Sequence, residues 1–149
     1  MLRSCFAVTM MVLLAGCGGG GDAKPLPKTE PVTGTVTLDD QPLEGALVMF
    51  IPSGTTKGIE CSGQTDASGV YTPKQTRGAE GVPAGTYKVV ISRFLSGGKP
   101  VTPGSAAEGG AGGVLTESLP PKYSNPGISQ LTATVPEGGE TIDFQLTTK

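Results

Sequence analysis

Ala46-Leu47-Val48-Met49-Phe50-Ile51 is an unbroken apolar run that ends at Pro52. Its length is that of a strand rather than a helix, and an apolar run without alternation predicts a strand at the centre of a sheet. Proline cannot donate to a ladder, so Pro52 marks the end of the strand. Upstream, Val32, Val36 and Leu38 alternate with threonines over residues 32–38, the period-two pattern of a half-buried strand. Between the two, Asp39-Asp40-Gln41-Pro42-Leu43-Glu44-Gly45 reads as a turn. Its acidic pair is turn chemistry rather than a metal site, since aspartate bonds its own backbone in turns. These two strands, A (32–38) and B (46–51), set the pattern for the rest.

The downstream pattern repeats this alternation of short apolar segments and turn residues. Strand C is expected over residues 59–65. Asp66-Ala67-Ser68-Gly69 follows as a tight hairpin, with Gly69 free to take positive φ, into strand D over residues 70–72. Val82-Pro83-Ala84-Gly85 leads into strand E over residues 86–92, where Tyr87, Val89 and Ile91 share a face. Strands F (131–135) and G (141–146) flank the Pro136-Glu137-Gly138-Gly139 turn. The expected fold is all-β: a seven-stranded immunoglobulin-like sandwich, with a long Gly-rich insertion over residues 94–130 between strands E and F.

That insertion has two parts. Residues 97–113 are glycine-rich and expected to be mobile, as long loops in compact domains are commonly functional or disordered. Residues 114–127 carry apolar side chains and a tyrosine between prolines. In one reading Leu119 and Tyr123 pack over an open edge or end of the sandwich and blunt edge-to-edge association. In the other, Lys122, Tyr123 and Asn125 form an interaction surface on a rigid scaffold.

Composition excludes several functions. The 149-residue chain has 11 Lys and Arg against 13 Asp and Glu, for a formal net charge of −2. It has no basic run, so the electrostatic footprint of nucleic-acid binding is missing. There is no histidine, hence no His-based triad, no imidazole metal ligand and no side chain whose ordinary pKa sits near neutrality. No catalytic residue, metal site or cofactor is expected, and the chain does not read as an enzyme. Ser96-Gly97-Gly98-Lys99 has the Ser-x-x-Lys spacing of penicillin-binding enzymes, but glycine-rich coil cannot hold the two side chains one helical turn apart. Gly98-Lys99 continues into Pro100 rather than Ser or Thr, so no phosphate loop is present. With no tryptophan, the chain is poorly equipped to stack on sugar rings.

The N-terminus bears on location. Arg3 precedes an apolar run over residues 5–15, too short for a bilayer span of about 20 residues and of the right length for the centre of an export signal. Cleavage by the ordinary signal peptidase near Ala15 would release a soluble protein. Alternatively, Leu14-Ala15-Gly16-Cys17 resembles the lipobox of bacterial lipoproteins. That resemblance implies cleavage between Gly16 and Cys17, a diacylglyceryl thioether on Cys17, and a signal peptide spanning residues 1–16. Several acyl chains are needed for stable anchoring, because one gives only marginal binding. Gly18, in place of Asp, favours the outer membrane over the inner one by the enterobacterial sorting rule. Residues 17–31, with four glycines followed by three prolines, read as a tether that carries a domain over residues 32–149. With Cys5 removed and Cys17 lipidated, Cys61 stands alone and reads as a small buried hydrophobe.

Three landmarks, taken in order, carry a wider resemblance: residues 36–50, Thr65-Asp66-Ala67-Ser68-Gly69-Val70-Tyr71, and Pro83-Ala84-Gly85-Thr86-Tyr87-Lys88-Val89. Together they resemble carboxypeptidase regulatory-like, transthyretin-like domains, in lipoproteins of the planctomycete type. The segment Leu119-Pro120-Pro121-Lys122-Tyr123 resembles the stretch ahead of strand F in those lipoproteins. The resemblance implies a prealbumin-like sandwich without catalytic residues; the histidines and Tyr-Arg-Gly-Ser end of the related hydroxyisourate hydrolases are missing here. The expected function is a lipid-anchored, non-catalytic structural or interaction module of the cell envelope, whose partner is an envelope protein. The alternative is an accessory domain that binds a glycan or peptide at the cell surface.

Overall fold

The computed structural model describes residues 27–76, 78–102 and 114–149. The expected signal peptide, Cys17, the first part of the tether and residues 103–113 of the insertion lie outside the described residues. The chain is almost entirely β. Its strands, in order, are β1 (Val32–Leu38), β2 (Gln41–Pro42), β3 (Leu47–Pro52), β4 (Cys61–Gln64), β5 (Val70–Tyr71), β6 (Lys74–Gln75), β7 (Gly85–Ser92), β8 (Phe94–Ser96), β9 (Lys99–Val101) and β10 (Thr116–Glu117). One short helix, α1 (Pro121–Ser124), precedes β11 (Thr132–Val135), β12 (Glu140–Thr141) and β13 (Phe144–Leu146).

Two five-stranded sheets form a sandwich-like body. The first has the order β11-β7-β3-β4-β6 and is antiparallel throughout. In it β3 lies at the centre, with Val48 and Phe50 buried and Leu47, Met49 and Ile51 of the opposite face half-buried. The second sheet is built on β1, which pairs in parallel with β12 and β13 on one side and antiparallel with β2 and β5 on the other. Alternation sends Val48 and Phe50 of β3, and Tyr87, Val89 and Ile91 of β7, into one core with Val32, Val36, Tyr71, Phe144 and Leu146 of the other sheet. Aromatic contacts line that core, one between the sheets (Phe50–Tyr71) and two within them. Phe50 lies 6.2 Å from Tyr71 and 6.0 Å from Tyr87, and Tyr71 lies 6.3 Å from Phe144. Such pairs contribute about 0.5–1.5 kcal/mol each beyond the area they bury.

β1 and the last strands approach closely because residue 34 has no side chain. A Cβ there would lie 1.8 Å from the carbonyl oxygen of Ile142 and 2.9 Å from the Tyr71 ring. That carbonyl instead accepts a hydrogen bond from the Tyr71 hydroxyl at 2.7 Å. The Asp143 carboxylate takes its place in the ladder by accepting the Thr35 N–H at 2.7 Å. Strand G, expected as one piece, is therefore divided into β12 and β13 where Ile142 and Asp143 turn their acceptors to these two donors.

Beyond the seven expected strands lie the short β2, β6, β8, β9 and β10. Two further expectations are corrected. The Asp66–Gly69 turn forms, with the Asp66 carboxylate accepting the Ser68 and Val70 N–H groups at 2.8 and 3.0 Å and Gly69 at φ 76°. It is not a hairpin within one sheet, however. β5 pairs with β1, so the turn carries the chain from one sheet to the other. Within the stretch expected to be mobile, Gly97 and Gly98 take φ 58° and 81° as the two-residue loop of a β8–β9 hairpin. Both φ values are positive, the requirement of the tight turn that matches strand twist, and glycine meets it without strain. This hairpin and β10 form a third, three-stranded sheet. It folds back on the 39–46 turn, where a Cβ at Gly45 would lie 2.3 Å from Cβ of Pro100.

The sandwich has a clear polarity. Residues 27–31 lie at one end: Glu30 exchanges backbone hydrogen bonds with Val82 at 2.9 and 3.0 Å, and its buried carboxylate accepts the Gly138 N–H at 3.0 Å. β1, β7 and β13 all run away from that end. The Asp39 turn, the third sheet, α1 and residues 147–149 follow the far ends of those strands.

Candidate functional site

The second half of the insertion forms the candidate site. Glu117 fixes its start: one carboxylate oxygen accepts the N–H groups of Arg93 and Leu119, both at 2.9 Å. Leu119 is then buried in the core. Pro121 occupies the first helical position, where a missing N–H costs nothing, and starts the single turn of α1. Asn125 ends the turn. Its side-chain oxygen accepts the Gly127 N–H at 2.8 Å, and its carbonyl accepts the N–H groups of Ile128 and Ser129 at 3.2 and 2.8 Å. Ser129 is buried and donates to the Val89 carbonyl at 2.7 Å, while the Val89 N–H donates to Leu131 at 2.8 Å. Residues 129–131 thus continue the edge that β11 begins, alongside β7.

Around α1 a shallow groove of about 330 Å³ is lined by Lys122, Tyr123, Ile128, Gln130 and Leu131. Tyr123 is half-buried against the core, and Leu131 packs on the same cluster. Ile128 is 53% exposed, one of the few large apolar side chains left open to solvent among the described residues. The Lys122 ammonium lies over the Tyr123 ring, 4.9 Å from its centroid, and donates to the backbone oxygen of Lys149. The Tyr123 hydroxyl accepts the Thr147 N–H at 3.1 Å. Burial raises the pKa of this hydroxyl, but the hydrogen bonds of Thr147 and the Lys122 charge outweigh it, and the net shift is downward. Asp39 reaches the same segment, accepting the N–H and hydroxyl of Thr148 at 3.1 and 2.7 Å; those two bonds hold its carboxyl below the usual range.

Of the residues named from sequence, Lys122 and Tyr123 line the groove, whereas Asn125 shapes the adjoining turn and does not line it. Leu119 and Tyr123 pack on the sandwich, and Lys122 and Tyr123 also face a groove. Ile128, Gln130 and Leu131 were not singled out, and the contacts of Asp39 with Thr148 join residues too far apart in sequence to show any local pattern.

Cys61 is buried, and burial, reinforced by the Glu60 charge, pushes its thiol up to about 11. Ser96 and Lys99 are cross-strand neighbours beside the Gly97-Gly98 loop, not residues one helical turn apart. Among the described residues no group of three or more acidic or cysteine side chains could hold a metal ion. Nor is any helix among them long and apolar enough to cross a membrane. No protein-family model matches this chain, and no curated protein or solved structure matches it.

Proposed function

We propose that the chain is a lipid-anchored, non-catalytic interaction module of the cell envelope, held through Cys17 on a short tether. In this reading the body is a carboxypeptidase regulatory-like, prealbumin-like sandwich of seven principal strands. The division of strands A, D and G into one sheet and B, C, E and F into the other supports it. The observation that carries the functional reading is the polarity of the fold. The chain leading back to Cys17 leaves at Glu30, clipped to one end by Val82 and Gly138, while the insertion and its groove lie toward the other. A module tethered in this way turns the built surface away from the membrane.

Attachment is tested by expressing the full chain and Cys17→Ala in a bacterial host and partitioning each between detergent and water. The parent is expected in the detergent phase and the variant in the aqueous phase; equal partition would end the anchor assignment. Crosslinking in intact cells is expected to give reproducible protein neighbours. The second reading, an accessory glycan- or peptide-binding domain, is favoured by the groove itself. A sugar needs an open aromatic face, and the Lys122 ammonium covers Tyr123, so of the two ligands the groove suits a peptide.

A further inference from the structure

We propose that residues 27–31 are a releasable latch: closed, they fix the direction in which the stalk meets the sandwich, and open, they join the tether and let the body turn. This deepens the envelope-module reading and rests on it, because only a tethered body has an orientation to set.

The latch is held differently from the strand that follows it. Val32 is the first described residue whose side chain enters the core, and within residues 27–31 the only buried residue is the polar Glu30. Attachment is by hydrogen bonds. The Gln75 side-chain amide donates to the Pro27 carbonyl at 3.2 Å, and Glu30 makes a single isolated antiparallel bridge with Val82. The Glu30 carboxylate accepts the Gly138 N–H, and the Pro31 carbonyl accepts the Glu140 N–H at 3.1 Å. By contrast, β1 is laddered on both sides and buries Val32 and Val36. Segments with few buried apolar contacts open locally at far less cost than the whole domain.

The seat is shaped for this stretch of backbone. A Cβ at Gly81 would lie 2.3 Å from the Glu30 carbonyl oxygen, and one at Gly139 would lie 2.0 Å from that of Pro31, so two glycines leave the room. Glu30 is the pin. One of its carboxylate oxygens takes the Gly138 N–H and the other takes the Lys28 ammonium at 2.9 Å, while the Lys28 side chain itself stays 84% exposed. The hydration that a carboxylate regains on leaving opposes the bonds it gives up, so such a pin can both close and open. Opening adds residues 27–31 to the tether, at most about 17 Å of reach at 3.3–3.6 Å per residue.

Lys28 also supplies the readout. Lys24 precedes Pro25, a bond that trypsin does not cut, so Lys28–Thr29 is the tryptic site between Cys17 and β1. The full chain in detergent is treated with dilute trypsin, the Lys28–Thr29 cut is followed by mass spectrometry, and amide exchange is followed by NMR. Glu30→Ala, which removes the pin, and Gly81→Ala, which fills the seat, are expected to be cut at least tenfold faster than the parent. In the parent the Val82 N–H, bonded to Glu30, is expected to exchange at least tenfold faster than the Ile142 N–H, which reports the β1 seam through its bond to Thr33. In the variants the Ile142 N–H is expected to keep the parent's rate. The proposal is overturned if neither variant is cut faster than the parent. It is equally overturned if Val82 and Ile142 exchange together in the parent, or if both variants lose protection at Ile142, since the latch would then open only with the body. The cut is read whether or not Cys17 carries lipid, so the latch and the detergent partition of Cys17→Ala fail separately.

Discussion

Replacing Gly34 by alanine is the sharpest test of how the two halves of the fold meet. An alanine Cβ would sit 1.8 Å from the Ile142 oxygen and 2.6 Å from its carbon. Both are backbone atoms and cannot swing aside, so β1 must move away from the Ile142 backbone by more than 1 Å before an ordinary contact is restored. Overpacking of this kind costs about 1–3 kcal/mol. The same movement stretches three hydrogen bonds: Ile142 N–H to Thr33 at 2.8 Å, Thr35 N–H to Asp143 at 2.7 Å, and the Tyr71 hydroxyl to Ile142 at 2.7 Å. Each contributes about 0.5–1.5 kcal/mol net. The expected loss is roughly 3–5 kcal/mol, a large share of the about 5–15 kcal/mol that holds a typical domain together. At about 4 °C per kcal/mol, the melting temperature should fall by roughly 12–20 °C. Gly54→Ala is the control. Nothing lies within 4 Å of its Cβ, so only its φ of +63° opposes alanine, at about 1–2 kcal/mol. Circular-dichroism melts of both variants check the difference, and Tyr71→Phe in the Gly34→Ala background should cost less than it does alone. The reasoning fails if Gly34→Ala melts no lower than Gly54→Ala.

Cys61 should resist a thiol reagent at pH 8 in the folded protein and react readily in urea, since its thiol titrates at about 11 and is buried; fast labelling of the native chain would contradict its place in the core. Asp39 has a folded pKa below its ordinary 3.8, so the hold on Thr148 is fully present above that pH and is lost as pH falls through the lower folded value. The melting temperature of Asp39→Asn should therefore sit below that of the parent at pH 6 and converge with it in strong acid. Tyr123→Ala removes a half-buried ring from the edge and should destabilise by roughly 1–3 kcal/mol in urea titration, whereas Tyr123→Phe should change stability by about 1 kcal/mol or less. An alanine variant as stable as the parent would mean that the ring does not pack.

The strands that alternate or run apolar were legible in the sequence, because burial on one or two faces writes itself directly into residue order. β1, β3 and β7 lie within a residue or so of where their patterns place them. Partnership was not legible. The Asp66 side chain and Gly69 dictate a turn, but nothing local says whether the next strand returns to β4 or crosses to β1. Gly97 and Gly98 were misjudged for a related reason: glycine composition suits both coil and a two-residue hairpin loop, and the choice depends on the cross-strand pairing of Phe94 with Val101. At the candidate site, Tyr123 stood out as an aromatic among prolines. Ile128 and Gln130 carry no pattern that points at a groove, and Thr148 meets Asp39 only because the first and last strands lie side by side.

That side-by-side arrangement has a mechanical corollary. β1 and β13 run in the same direction, so a load applied through the stalk and resisted at the far end of the body pulls them along their length in opposite senses. The rungs between Val36 and Phe144, Thr37 and Gln145, and Leu38 and Leu146 are then strained together rather than peeled one after another. Under the proposed anchoring, such a load would be held until the whole ladder slips at once.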